Sequence, residues 1–255
     1  FVIVILVMVI GAVSHICTRV FGDRLGLPLS GFLSGFVSST ATVVEMGRKV
    51  DAPGDTAVRF IQPAAAGATL SSVSSLVQTG MVLGLVSPSL FALALPVLVV
   101  PTVVVLIFSA LLVYLATRKG GEPAGIELPS RIFSVKDAVK FALTVTAVIL
   151  ISAMLNDRFG TEAVLLSAAL AGLISTSSAA VALASLVAAG QMPAGEAVMP
   201  LAAALTVNAM VRLVLALRSR SPVFGRIVAL GLVLSVLSVW IGWHFSAVIK
   251  VWLND

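Results

Sequence analysis

"SLFALALPVLVVPTVVVLIFSALLVYLAT", residues 89 to 117, runs for 29 residues without a charged side chain. A helix crosses the hydrocarbon of a bilayer with about 20 apolar residues, and this stretch exceeds that length. It lacks the strict polar–apolar alternation of a membrane β-strand. In lipid only helices and closed barrels satisfy their own backbone groups, so the stretch reads as a membrane helix. The rest of the chain has the same character. Of its 255 residues 59% are hydrophobic and 11% charged, and the mean hydropathy is +1.15. The sequence therefore predicts an all-α integral membrane protein, a multi-helix bundle.

Eight apolar segments are expected, at 1–18, 27–47, 57–86, 89–117, 138–156, 163–189, 197–217 and 223–250. "TRKGGEPAGIELPSRIFSVKD", 117 to 137, is polar and rich in Gly and Pro, and it divides the chain. The expected organisation is a membrane repeat at 1–117, a polar linker at 118–137 and a second membrane repeat at 138–255. The halves are related in sequence. "GFVSSTAT" at 35–42 is answered by "GLISTSSA" at 172–179, an offset of 137. Without a gap, that offset puts Ser38 on Ser175, Pro63 on Pro200, Thr69 on Thr206 and Leu76-Val77 on Leu213-Val214. From 35 to 77 it yields 12 identities in 43 positions, and the matched Gly, Ser, Pro and Thr carry the weight in so Ala-rich a chain. Outside that block, and with a small shift, "SP" at 87–88 answers "SP" at 221–222. Two homologous four-segment repeats follow, as in many transporters.

Loop charges give the repeats opposite senses. In the first half Arg48, Lys49 and Arg59 follow the motif segment, and the next loop, 86–89, has no basic residue. In the second half the loop at 189–196 has none, and the next holds Arg218, Arg220 and Arg226. Lys and Arg collect on the cytoplasmic side, so the repeats are expected to be inverted. Inversion needs an odd number of crossings per repeat, which results if 27–47 and 163–189 re-enter the membrane. Turns at Gly35 and Gly172 would then expose backbone groups at depth, with the neighbouring hydroxyls as partners. Plain crossing helices are the competing arrangement. There the Ser and Thr hydroxyls bond back to carbonyls one turn earlier, and small residues pack helices closely.

Several residue types narrow the chemistry. Arg212 stands in "LTVNAMVRLVLAL", 205–217, one helical turn after Asn208. A charge inside a membrane helix faces a cavity or a partner, unless its stem carries it to the interface. Repeat equivalents of Asn208 and Arg212 are Ser71 and Ser75, in the hydroxyl-rich "TLSSVSSLVQTG" at 69–80, whose polar stripe contains Thr69, Ser72 and Gln78. Pro63 and Pro200 either interrupt their helices or sit in the first turn. Trp240, Trp243 and Trp252 suit an interfacial belt. His15 and His244 are isolated, and Cys17 is the single cysteine, which excludes an intrachain disulfide. No HExxH, GxSxG or P-loop is present, so no enzyme, cofactor or resident metal is expected. The pI of about 10.0 comes from basic residues at segment ends, as topology anchors rather than a nucleic-acid surface. The chain begins at Phe1, so an upstream portion or a removed leader is expected, and "FVIVILVMVI" is too long and too directly continued to look like a signal peptide with a small-residue cleavage site.

"LSGFLSGFVSSTATVVEMGRK" resembles the first motif of a family of bacterial membrane domains of unknown function, often found behind a MgtC/SapB-type membrane domain. "VKFALTVTAVILISAMLNDRFG", "LLSAALAGLISTSSAAVALASL" and "LAAALTVNAMVRL" extend the resemblance over nearly the whole chain. The family's Asn and following basic residue are kept as Asn208 and Arg212. Its second motif carries acids at the places of Ser175 and Ser177, where this chain has hydroxyls. The resemblance implies a multi-pass protein of the bacterial inner membrane, linked to magnesium homeostasis or transport.

The resulting expectation is a transporter- or channel-like protein for a small ion or polar solute. Gly35, Ser38, Ser39, Thr40, Gly172, Ser175, Thr176, Ser177, Asn208 and Arg212 are the candidate substrate-binding residues. Its partners would be the bilayer, the solute, an upstream or separate membrane domain and further copies of itself. The alternative is a non-catalytic membrane subunit that packs against a partner membrane protein.

Overall fold

A computed structural model describes residues 2–50, 56–118 and 161–254. Seven helices and no strand occur among them: α1 Val2–Val50, α2 Thr56–Val86, α3 Pro88–Arg118, α4 Thr161–Ile174, α5 Thr176–Ala188, α6 Ala194–Leu217 and α7 Pro222–Asn254. The linker beyond Arg118 and the segment 138–156 lie outside the described residues. Five stretches are long and apolar enough to cross a membrane: Leu25–Val50, Phe60–Val86, Pro88–Thr117, Ala194–Leu217 and Pro222–Ser246.

The distribution of side chains is that of a protein in lipid. Large apolar residues point outward, with Leu85, Ile107 and Leu170 86%, 66% and 61% exposed. Small and polar residues point inward, among them Ser71, Ser72, Ser74, Thr79, Asn208 and Arg212. Where the surroundings are as apolar as leucine, outward leucine costs nothing, and close contact of small side chains holds helices together.

Two sequence expectations are corrected, and an open alternative is decided. Segments 1–18 and 27–47 are joined in the single helix α1, because "RVFGDRLG" between them holds no proline and its two glycines cost only about 1 kcal/mol each. The turn expected at Gly35 is absent, and α1 runs straight through it. The hydroxyls there bond within the helix instead of replacing it, as Thr42 Oγ1 does in donating to the Ser38 carbonyl at 2.8 Å. Pro63 and Pro200 lie past the first turns of α2 and α6, so each leaves a carbonyl of the preceding turn without its helical donor.

The two "SP" dipeptides are helix starts. Ser87 Oγ accepts from the Leu90 amide at 3.4 Å, and Ser221 Oγ accepts from the Phe224 amide at 3.4 Å. Pro88 and Pro222 occupy the first helical positions, where a missing N–H is harmless.

Contacts group the chain into two compact units, each drawing on both halves of the sequence. The first takes the described parts of Phe1–Ser75, Val103–Val135 and Arg212–Leu234. Its core is formed by Leu27, Val43 and Met46 of α1, Ala64 to Ala66 of α2, Leu112 of α3, Ala216 of α6 and Phe224, Val228 and Leu232 of α7. The second takes the described parts of Leu76–Thr102, Lys136–Val211 and Ser235–Asp255. There Leu83, Leu90, Val97, Val164, Leu183, Leu201 and Val239 lead the core.

Candidate functional site

In the first unit the motif of α1 lies along the hydroxyl-rich part of α2. Gly35 permits the approach: a Cβ there would come within 2.7 Å of the Ser71 Cα. The backbones meet because neither residue carries bulk, the small-residue packing of membrane helices. At this contact Ser71 Oγ donates to the Ala68 carbonyl at 2.6 Å and reaches the Ser39 carbonyl at 3.5 Å. Ser74 Oγ donates to the Phe32 carbonyl. Ser34 and Thr42 share a hydrogen bond of 2.9 Å along α1, and Ser38 Oγ accepts from the Ala41 amide at 3.2 Å. Ser39 is buried, whereas Ser38 and Thr40 are half-buried.

Arg212 also belongs to this unit. Its side chain is 3% exposed, so it does not reach the interface as a long basic stem can. Nη1 donates to Ser72 Oγ at 2.9 Å. Arg212 lies five residues before the end of the helix at Leu217, so its insertion cost is below the about 2.5–3.5 kcal/mol of a cation at a helix centre, and a hydrogen bond from a charged group, about 1.5–3 kcal/mol, offsets a large part of it.

In the second unit the motif breaks its helix. Ser175 stands between α4 and α5 with φ −163° and ψ 131°, an extended residue in an otherwise helical run. The break comes three residues after Gly172, which itself stays helical in α4. Gly172 lies against the Ala204 backbone of α6, and its carbonyl accepts from Asn208 Nδ2 at 2.9 Å. Ser177 Oγ donates to Gln78 Oε1 of α2 at 2.9 Å. Thr176, Ser177 and Ser178 are all buried, and Ser178 Oγ has no hydrogen-bond partner.

The candidate residues thus fall into two sets. Gly35, Ser38, Ser39, Thr40 and Arg212 belong to the first unit, and Gly172, Ser175, Thr176, Ser177 and Asn208 to the second. Ser72 and Gln78, the partners of Arg212 and Ser177, stand out in sequence only as members of the polar stripe of α2. Ser178 escapes sequence reasoning altogether, because one serine of "STSS" looks like another until burial separates them.

A family model described as a domain of unknown function (DUF4010) matches residues 5–219. The chain belongs to the DUF4010 family. The DUF4010 match includes both motifs, Asn208 and Arg212, and ends before α7. Comparison with curated proteins and with solved structures gave no match.

Proposed function

We propose that this DUF4010 chain is a transporter- or channel-like protein of the bacterial inner membrane that moves a small ion or polar solute and performs no covalent chemistry. The burial of Arg212 on Ser72, in a helix of crossing length, carries the reading. Leucine would pack as well at lower cost, so a retained buried charge implies a charged or polar task.

In this reading the protein is built from two inverted repeats. Their support is that each motif glycine lies against the helix that follows in its own half: Gly35 packs on Ser71, and Gly172 packs on Ala204 while its carbonyl accepts from Asn208, the offset equivalent of Ser71. The swapped loop charges support the inverted sense. Association with an upstream or separate membrane domain, with further copies of the chain and with magnesium homeostasis belongs to the proposal through the family resemblance.

The test is flux in liposomes containing the wild type, Arg212→Lys or Arg212→Leu, over a panel of magnesium, sodium, chloride and small carboxylates. Expression level and thermal stability are measured alongside. The expected outcome is a folded Leu variant with flux reduced at least tenfold and a Lys variant in between, since lysine keeps the charge but loses the planar fork. Equal flux for wild type and the Leu variant would remove Arg212 from the pathway.

One observation favours the rival class, a membrane subunit that packs against a partner. An apolar groove of about 630 Å³ in the second unit is lined by Gly80, Met81 and Gly84 of α2 and by Phe91, Leu95 and Leu98 of α3. Glycines four apart are a common helix-docking pattern in membranes. That reading expects no flux from the wild type with any solute of the panel.

A further inference from the structure

We propose that the start of α5 is a binding site for a small anion, held by the amides of Thr176, Ser177 and Ser178 and by the hydroxyl of Ser178. For its biological role this deepens the transport reading above, but the binding itself does not depend on it.

The argument begins with lengths. α4 and α5 have 14 and 13 residues, so each spans about 20 Å, short of a bilayer's hydrocarbon of about 30 Å. The break at Ser175 therefore falls in the middle of an apolar stretch. Non-helical backbone at such depth persists only where protein, water or a ligand satisfies it. Here the protein satisfies part of it. The Ser175 amide keeps its helical bond to the Ala171 carbonyl at 2.9 Å, and the Ala179 amide bonds to the Ser175 carbonyl at 3.3 Å. The amides of Thr176, Ser177 and Ser178 precede that first bond of α5, and helix geometry gives them no acceptor within it. The usual remedy is a side-chain cap, and Ser175 makes no cap bond.

A second observation points the same way. Ser178 is wholly buried, yet its hydroxyl has no partner. A buried hydroxyl left unsatisfied costs about 1–3 kcal/mol. In a helix each Cα–Cβ bond tilts toward the N-terminus, so in the first turn of α5 this hydroxyl leans toward the same end as the three amides. The neighbouring Ser177 hydroxyl is already committed to Gln78 Oε1.

The sign of the ligand follows from the donors. Three amides can only donate, the hydroxyl can turn its proton toward the same point, and the helix dipole adds about half a unit of positive charge there. Among the described side chains of this unit the one carboxylate is Glu196, which is exposed at the start of α6. No group of three or more His, Cys, Asp or Glu occurs among the described residues to hold a metal ion instead. Thr176, Ser177 and Ser178 are almost wholly buried, so an occupant enters only as neighbouring side chains give way, which favours one of a few atoms, such as a halide or the carboxylate group of a small acid.

The test uses the purified full chain, and thermal unfolding is followed at constant ionic strength. Chloride, formate and acetate are titrated against a bulky anion such as gluconate. Wild type should gain several degrees, saturably, with at least one of the three small anions. Ser178→Ala should keep the starting midpoint or raise it, since it removes an unsatisfied hydroxyl, and weaken the anion response about tenfold, the value of one hydrogen bond to a charge. Ser178→Thr restores the hydroxyl and should restore the response. No specific response in wild type, or an unchanged one in Ser178→Ala, overturns the site. Flux measurements separate the two readings. Anion binding without flux of any solute keeps the site and sinks transport, and flux without anion stabilisation does the reverse.

Discussion

Gly172 and Gly35 show how much a missing side chain decides. A Cβ on Gly172 would run into the Ala204 carbonyl, and backbone cannot swing aside as a side chain can. Gly172→Val should therefore push α4 off α6, stretch the bond from Asn208 Nδ2 to the Gly172 carbonyl, and cost at least the 1–3 kcal/mol of ordinary overpacking. A thermal or denaturant midpoint in detergent reads the loss. A wild-type midpoint in the variant would show that the two helices have room to part. The same residues illustrate what sequence reasoning reached and missed. The glycines stand out in the sequence because they recur, and their place among hydroxyls suggests hinges. In the structure they are contact points, since a membrane helix gains more from close packing than a glycine costs it. Arg212 was legible because a charge in an apolar run is conspicuous. Its partner was not, because "SSVSS" offers four serines and only the relative rotation of α6 and α2 selects Ser72.

At the level of elements, the starts of α3 and α7 were written locally and the break before α5 was not. A serine followed by a proline supplies an acceptor for the first turn and a residue that needs no donor, and both dipeptides act in that way. Ser221→Ala removes the acceptor for the Phe224 amide at the start of α7. The expected loss is about 1 kcal/mol, within the range of about 0.5–2 for such caps, seen as a lower unfolding midpoint. Ser221→Asp, which also caps, should hold the midpoint near wild type. If both substitutions cost the same, the capping bond contributes nothing. The break at Ser175 has no such local mark. "SSTAT" in α1 and "STSSA" around Ser175 have nearly the same composition, yet one is continuous helix and the other is not. In α1 the hydroxyls find carbonyls one turn back, whereas the buried Ser177 hydroxyl donates to Gln78 of another helix, α2.

For the molecule as a whole, the proposed inverted repeat makes a topological prediction: residues 50–56 and 190–195, which overlap at the offset of 137, should lie on opposite sides of the membrane, as the loop charges suggest. In a Cys17→Ser background, Ala52→Cys and Gln191→Cys should react with an impermeant thiol reagent from opposite faces, the former from the cytoplasmic side. Labelling of both from one face means parallel repeats. Sequence alone determined the apolar solvent of this protein, its helical class and the family to which it belongs. Those properties are sums over many residues, and no single contact can reverse them. The tertiary structure alone decided that Gly35 is no hinge, that Arg212 is buried on Ser72, and that Ser178 is left without a partner. These outcomes turn on distances of a few tenths of an ångström between residues up to 140 positions apart. In a chain of interchangeable Ala, Val, Leu and Ser, local pattern cannot say which hydroxyl meets which neighbour; the packing of one helix against another does.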